Sequence, residues 1–379
     1  MASHLVVLVP GFLGFGRLGA LYYFADRVLA TLRGALQVRL GMPVPVAGAR
    51  TDPVGSLASR QSYLLAELAR LDREIGPSSF HLVGHSTGGV DAELLTCKAP
   101  LDGGSWGEHD ELRRRIASVT TIAAPHYGTC LVESPAAGWC LRPYDPRGSV
   151  QAARLAGSLA WLFVTRSVSF EGAEAVVMDG PESAAFVGRF LTHRALIRDL
   201  RPSRMMELRS ANPPDPAIGA RVGCFVTVTP PVAVDGAPRA CDGFFACLHG
   251  MTAKCALEHD PKKTARFVQV LNAQAASPIG NPAARLVPFD AEASDGIVNS
   301  SRQLLATHAP GGDPAAALAA VVVGDHGDVL GYYDRQDALS GGRVLNQGFF
   351  RSGAGFGDEQ FFELWGRVAD HIAAAASAP

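Results

Sequence analysis

Long apolar runs and an excess of charge of one sign are both missing from this chain. No stretch approaches the roughly 18 consecutive apolar residues of a membrane-spanning helix, so stable membrane insertion is not expected. Lys and Arg total 34 against 36 Asp and Glu, which leaves a formal net charge of −2. Such a balance gives no global field to attract nucleic acid or anionic lipid. We therefore expect a small-molecule or lipid-like substrate, no nucleic acid, and no protein partner that the sequence identifies.

Cysteine pairs of the C-x-x-C type are also missing, although the chain holds 7 cysteines. An odd number without that spacing argues against a zinc site or a redox motif. We expect reduced and mostly buried thiols, as in the cytosol. One disulfide among Cys241, Cys247 and Cys255 is the alternative for an exported protein. No metal and no other cofactor is predicted.

The N-terminal apolar stretch lacks the features of a secretion signal. The segment MASHLVVLVPGFLGF has no Lys- or Arg-rich start, and Pro10-Gly11 interrupts its apolar run early. A signal peptide has a longer apolar region and a small-residue cleavage site. We interpret the segment as a first strand and expect a cytoplasmic protein, with a secreted protein in trimmed mature form as the alternative.

Strands alternate with helices over the first third of the chain, and hydrophobic residues make up 47% of the whole, enough for a large core. This alternation predicts a parallel sheet with helices on both faces. The predicted strands are His4 to Val9, Phe80 to Val83 and Ser118 to Ala123. The predicted helices are Leu18 to Leu40, Ala58 to Ile75, Gly89 to Cys97 and a short one from Glu111.

Beyond Cys130 the pattern changes to apolar helical stretches without strands, at Val150 to Val164 and Ser183 to Leu200. Strand signals return at Gly223 to Thr229, Arg285 to Phe289 and Ala319 to Val323, before a terminal helix over Asp358 to Ala376. We therefore predict a first core part at 1–129, a helical cap or lid insertion at 130–212 and a second core part at 213–379. The segment 234–277 has no assigned role.

The strongest motif is Gly84-His85-Ser86-Thr87-Gly88, a G-x-S-x-G between a predicted strand and a predicted helix. A serine on a sharp strand-to-helix turn needs small neighbours, and the turn raises its hydroxyl above the sheet. The helix N-terminus behind it favours developing negative charge. This context predicts that Ser86 is a nucleophile.

A serine hydroxyl needs a base to remove its proton and a carboxylate to orient that base. Among 11 histidines, His326 fits best, because it follows the last predicted strand in a loop flanked by glycines. His308 and His371 are interpreted as surface residues and His126 as structural. Asp295 is the predicted acid, with Asp290 as its rival, because it precedes the histidine in the expected chain order.

The tetrahedral intermediate of ester hydrolysis needs preformed N–H donors. Thr87 is predicted to supply one from the residue after the nucleophile, and Phe12 the other from the early loop. The alternative is that Pro10-Gly11 is only a strand-ending turn. Phe12, Leu13 and His85 are predicted to contact the substrate. Trp161, Leu162 and Phe163 either line an acyl pocket or pack on the core.

Together, PGFLGF, GHSTGG, AAPHYGT, SDGIV and GDHGD resemble, in this order, the bacterial true-lipase and esterase branch of the α/β-hydrolases. The resemblance implies an α/β-hydrolase fold: a mostly parallel central sheet, helices on both faces and an inserted helical cap. It also implies acyl-enzyme hydrolysis of hydrophobic esters by Ser86, Asp295 and His326. The sequence departs from the family at Pro10, where members often have His.

Three further interpretations follow from the resemblance. Many secreted relatives bind calcium near the triad loops, but Asp325 and Asp328 do not make a complete oxygen set, so calcium is not predicted. Amide, thioester or polyester hydrolysis on the same triad is an alternative activity, since function on this fold depends on the pocket. A catalytically silent binding protein is the alternative from another class.

Overall fold

The computed structural model describes residues 4–12, 17–18, 21–52, 55–133, 195–229, 252, 261–274, 278–280, 288–305, 313–331, 333 and 354–377. The strands are β1 (His4–Val9), β2 (Arg17–Leu18), β3 (Leu21–Tyr22), β4 (Val46–Gly48), β5 (Ser79–His85), β6 (Ile116–Ile122), β7 (Arg221–Val228) and β8 (Leu318–Val323). The helices are α1 (Asp26–Leu40), α2 (Leu57–Ile75), α3 (Thr87–Leu94), α4 (Asp110–Arg114), α5 (Ala195–Asp199), α6 (Pro202–Ala211), α7 (Pro261–Gln274), α8 (Pro314–Ala317) and α9 (Asp358–Ala376).

In the described part of the chain, six strands form one sheet in the order β4-β1-β5-β6-β7-β8. Every pairing in it is parallel. Parallel strands are joined by crossovers that cover the faces of the sheet with helices. The predicted fold class, a parallel sheet between two helical layers, is confirmed.

Alternate residues of β1 face the two helical layers, as the period of a strand requires. Val6 and Leu8 pack in the cluster that contains the buried faces of α1 and α9. Leu5 and Val7 pack in the opposite cluster, with the leucines of α2. This burial on both faces explains why β1 is a continuous apolar run rather than an alternating one.

The predicted first helix, Leu18 to Leu40, is too long, because α1 begins at Asp26. The preceding residues form a short antiparallel pair, in which Arg17 pairs with Tyr22. The helical spacing of buried residues holds only from Val28 onward, and the acidic Asp26 lies in the first turn, where it meets the positive end of the helix dipole. Phe24, just before the helix, packs in the same cluster as Val28 and Leu32 without being helical.

The strand predicted at Arg285 to Phe289 lies mostly outside the described residues, and its last residue, Phe289, is in irregular chain. The sheet is instead extended beyond β8 by Ile279. This residue donates to the Val321 carbonyl at 2.9 Å and accepts from the Val323 N–H at 2.8 Å. The three-residue β4 was not predicted, because a strand of that length leaves no periodic pattern.

The strands β1, β5, β6, β7 and β8 and the helices α3 and α4 agree with their predicted positions to within about three residues. The terminal helix α9 has the predicted bounds, and α2 begins one residue early behind an N-cap at Ser56. None of the described helices is both long and apolar enough to cross a membrane.

The predicted cap lies largely in 134–194, outside the described residues, as do Leu13, His308 and the segment Trp161 to Phe163. The described chain on its two sides comes together: Thr129 N–H donates to the Leu200 carbonyl at 3.0 Å. The helix α6 then packs through Met205 and Leu208 against α3 in the core. Two chain ends that meet in this way are what an inserted segment requires.

Candidate active site

Ser86 occupies a sharp turn between β5 and α3, with φ 55° and ψ −132°. A non-glycine residue rarely adopts such a backbone, and such strain is concentrated at functional sites. The turn is closed by direct backbone contact: a Cβ on Gly84 would lie 2.3 Å from the Gly88 oxygen, and a Cβ on Gly88 would lie 2.2 Å from the Val9 oxygen. Glycines are therefore required on both sides of the serine.

His326 follows β8, and its Nδ1 lies 2.8 Å from Oδ2 of Asp295. Because the carboxylate can only accept, Nδ1 carries the proton and the neutral ring keeps its lone pair on Nε2. The backbone N–H of His326 also donates to the Asp295 carbonyl at 2.9 Å. The histidine is thus fixed in the tautomer that a general base needs.

The Asp295 carboxylate is fully buried and its two oxygens are surrounded by donors. Oδ1 accepts from the backbone N–H groups of Ile297 (3.0 Å) and Val298 (2.8 Å). Oδ2 accepts from the Thr227 hydroxyl (2.5 Å) and the Gln303 amide (3.1 Å). These four contacts hold the carboxylate in one orientation.

Asp295 does not follow a described strand directly, which departs from the predicted context. Its loop is attached to the end of β7, where Thr229 N–H donates to the Ser294 carbonyl at 3.0 Å. The rival Asp290 is exposed and accepts from the Glu292 N–H at 2.9 Å, as an ordinary turn residue does.

His126 lies in a setting that satisfies both of its ring nitrogens inside the protein. Nδ1 accepts from Arg209 at 3.2 Å and Nε2 is 3.1 Å from the Thr121 hydroxyl. Arg209 is itself ion-paired with the buried Glu93. These contacts fit the structural role expected for this histidine. His371 packs on the sheet, 3.0 Å from the Thr120 hydroxyl, and is not the surface residue that was expected.

The early loop lies directly against the nucleophile. A Cβ on Gly11 would be 2.6 Å from Cβ of Ser86 and 2.5 Å from the Tyr23 hydroxyl oxygen. Thr87 begins α3 behind the serine, and Phe12 follows Gly11 at the partly exposed end of the loop. The backbone N–H groups of Phe12 and Thr87 can bind the same substrate oxygen only if the early loop approaches the serine this closely.

Two side chains that the sequence analysis did not identify hold the early loop, Arg60 and Asp91. Arg60 donates to the carbonyls of Pro10 (3.0 Å) and Gly11 (3.2 Å). It also pairs with the buried Asp91 at 2.6 Å. The one available signal was that Arg60 lies four residues from Leu64 on the apolar stripe of α2, where a charge is out of place.

His85 is buried beside the site, with Nδ1 2.7 Å from the Tyr23 hydroxyl and Nε2 2.9 Å from the His326 carbonyl. Burial and, after it, the proximity of His326 lower the pKa of His85 well below its ordinary value. Its nitrogens are therefore engaged inside the protein, which leaves only ring surface for the predicted contact with substrate. Tyr23, also unpredicted, lay within the range assigned to the first helix.

Two buried carboxylates flank His326 and shape its loop. Asp325 accepts from the N–H groups of Gly327 (3.1 Å) and Asp328 (3.2 Å), and Asp328 accepts from the Asp325 N–H at 2.9 Å. Burial and then the charge of Asp328 raise the pKa of Asp325 well above its ordinary value. Among the described residues, no group of His, Cys, Asp and Glu is arranged to hold a metal ion.

Comparison with known proteins gives one curated sequence relative. A triacylglycerol lipase from Pseudomonas fragi is 30% identical over 129 residues, which are 34% of this chain and 36% of that protein. The chain therefore matches only about a third of the length of this relative. No family model matches the sequence.

Solved structures with a similar arrangement include bacterial esterases and lipases. EstA from Clostridium botulinum has a TM-score of 0.49 at 16% identity, covering 98% of this chain and 88% of that one. The Staphylococcus hyicus lipase has a TM-score of 0.48 at 14% identity, covering 99% and 96%.

Three observations together identify the fold family. The sheet is parallel and covered on both faces, the strained serine turn follows its strand β5, and Ser86, Asp295 and His326 occur in the chain order of that family. The chain has the α/β-hydrolase fold, and about a third of its length is similar in sequence to part of a bacterial triacylglycerol lipase.

Proposed function

We propose that the protein is a serine carboxylic-ester hydrolase that acts on hydrophobic esters through an acyl-enzyme intermediate. The observation that carries the proposal is the 2.8 Å contact between His326 Nδ1 and the buried Asp295 carboxylate, in a fold that places Ser86 on a strained turn. In such a pair, the carboxylate orients the histidine, which then takes the proton of a nucleophilic hydroxyl. The lipase named among the sequence relatives supports the ester class.

In the proposed cycle, Ser86 attacks the ester carbonyl while Nε2 of His326 takes its proton. Asp295 holds the ring and stabilises its positive charge. The negative oxygen of the intermediate is bound by the N–H groups of Phe12 and Thr87. The alcohol leaves with the proton from His326, and water repeats the sequence to release the acid.

The substrate pocket is proposed to lie above Ser86, between the early loop and the inserted segment. Phe12 packs at the margin of the cluster formed by α3, α5 and α6. That cluster stands where the described ends of the insertion meet, at Thr129 and Leu200. We therefore place the cap between these two residues, with α6 assigned to the core rather than to the insertion, and we propose that it covers an apolar acyl site.

The experiment is hydrolysis of p-nitrophenyl esters from acetyl to palmitoyl by the wild type and by Ser86→Ala. We expect turnover by the wild type, its loss in the variant and a chain-length optimum that separates an esterase from a lipase. The same panel includes p-nitroanilides and thioesters of the preferred acid. Turnover of these alone would replace the ester proposal, and no turnover of any of them would favour a silent binding protein.

A further inference from the structure

His85, the residue before the nucleophile, is held by directional hydrogen bonds on both sides. Its Nε2 lies 2.9 Å from the His326 carbonyl oxygen, which can only accept, so Nε2 carries the proton. Nδ1 of the neutral ring is then an acceptor, and the Tyr23 hydroxyl at 2.7 Å donates to it. The two nitrogens of one imidazole thus serve two different neighbours.

The Tyr23 hydroxyl continues the chain of bonds to the early loop. Its oxygen accepts from the backbone N–H of Gly11 while its proton is given to His85. A directed series therefore runs from Gly11 through Tyr23 and His85 to the backbone of His326. It joins the loop that precedes Phe12 to the loop that carries the base.

The packing of the two imidazoles adds to this connection. The ring centroids of His85 and His326 are 4.7 Å apart, inclined at 51°. The Tyr23 hydroxyl and both ring nitrogens of His85 are thus used within the protein, between the early loop and the His326 loop. Any buried imidazole needs partners for its nitrogens, and what distinguishes His85 is that its two partners connect to the two loops on either side of the nucleophile.

We propose that Tyr23 and His85 are positioning residues that hold the early loop and the general base His326 in their relative positions. The early loop is held through Tyr23 and Nδ1 of His85, and His326 is held through Nε2 of His85. The inference rests on the proposed function, since it concerns the geometry of that function's donors and base. The effect of Tyr23 and His85 is on the orientation of Phe12 and of His326.

Two substitutions at His85 separate the two halves of this arrangement. His85→Asn places an amide near the position of Nδ1 and keeps the bond to Tyr23, but it cannot reach the His326 carbonyl. His85→Gln places its amide near the position of Nε2 and keeps the bond to His326, but loses Tyr23. Tyr23→Phe is a third variant, which removes only the hydroxyl. Thermal unfolding checks that each variant is folded.

Two readouts report the two loops independently of ester turnover. The far-downfield proton resonance of Nδ1–H between His326 and Asp295 reports the base. The affinity for octylboronic acid, whose serine adduct places an oxygen in the oxyanion site, reports the early loop. We expect His85→Asn to lose the resonance and keep the affinity, whereas His85→Gln and Tyr23→Phe keep the resonance and lose about 10-fold in affinity.

On the preferred ester, all three variants are expected to lose up to about 100-fold in kcat with KM little changed, because small misplacements of catalytic groups act on the chemical step. The proposal is overturned if His85→Asn and His85→Gln change both readouts equally, or change neither. If the wild type hydrolyses no ester, the proposed function fails, while the resonance and boronate binding still decide the positioning roles.

Discussion

Arg60 Nη2 lies 2.6 Å from Oδ2 of Asp91, and both side chains are fully buried. The same nitrogen donates to the carbonyls of Pro10 and Gly11. The ion pair therefore joins the early loop to α3, the helix that begins directly after the nucleophile. A buried pair of this kind contributes orientation, since the cost of desolvating both charges offsets much of their attraction.

Removing one partner of this pair is expected to destabilise the fold much more than removing both partners. Asp91→Leu leaves the Arg60 charge buried and unpaired, which should lower the free energy of unfolding by about 3–5 kcal/mol. The double variant Arg60→Met/Asp91→Leu should recover most of that loss in urea denaturation. Its kcat should stay well below that of the wild type, because the loop carbonyls have lost their donors. Wild-type kcat in the double variant would contradict a role in the loop.

The turn at Ser86 requires glycines because a side chain there would collide with neighbouring atoms. A glycine in an exposed helix has no such requirement. A Cβ on Gly88 would lie 2.2 Å from the Val9 oxygen, so Gly88→Ala should destabilise by about 1–3 kcal/mol. Gly34 is exposed within α1 and a Cβ there meets nothing within 4 Å. Gly34→Ala should therefore stabilise by about 0.5–1 kcal/mol. Equal effects in thermal unfolding would show that the turn tolerates a side chain.

Asp295→Asn should reduce kcat by about 10⁴-fold and should lower the free energy of unfolding by about 1–3 kcal/mol, because its amide faces buried donors. The new amide group faces the donors that Oδ2 accepts from, so His326 loses the partner that fixes its tautomer. Asp290→Asn is the matched control and should leave kcat unchanged. The opposite pattern in steady-state kinetics would make Asp290 the acid of the triad.

The buried histidine His81, in strand β5, should make the stability of the protein sensitive to acid. Burial, and then the charges of His4 and His371, lower the pKa of His81 to about 3. Because this value is below the ordinary 6.5, the unfolded state binds more protons between the two values. The stability is present above pH 6.5 and is lost as the pH falls toward 3, by about 1.4 kcal/mol per pH unit.

His81→Asn tests this sensitivity, since it removes the titrating ring and places an amide near Nδ1, which is 2.8 Å from the Ser118 hydroxyl. Urea unfolding between pH 7 and pH 4 should show a slope smaller by about one proton. His109→Asn, in a short surface turn, is the control and should leave the slope as it is. An unchanged slope for His81→Asn would show that other groups cause the acid loss.

Part of the site could be predicted from sequence because its determinants are local. Ser86 is marked by glycines that the turn itself requires, and a strand directly precedes both this turn and the His326 loop. The chain order of the acid and the base then limits the choice of Asp295. Short-range pattern and fold topology were sufficient to select these residues as candidates.

The rest depends on contacts between distant parts of the chain. Tyr23 meets His85 across 62 positions and Arg60 meets Asp91 across 31. No periodic pattern records such a pairing, and the apolar spacing around Tyr23 extended the predicted first helix beyond its true start. The contact between Thr129 and Leu200 is of the same kind, and it is the basis on which we propose an earlier end for the insertion than the sequence pattern predicts.

The most direct test of the central claim, that Ser86 is the nucleophile, is covalent labelling by a p-nitrophenyl alkylphosphonate followed by mass spectrometry. We predict one adduct per chain, on the peptide that contains Ser86, with His326→Ala labelled far more slowly and Ser86→Ala not labelled. An adduct on another residue, or equal labelling of Ser86→Ala, would contradict the account.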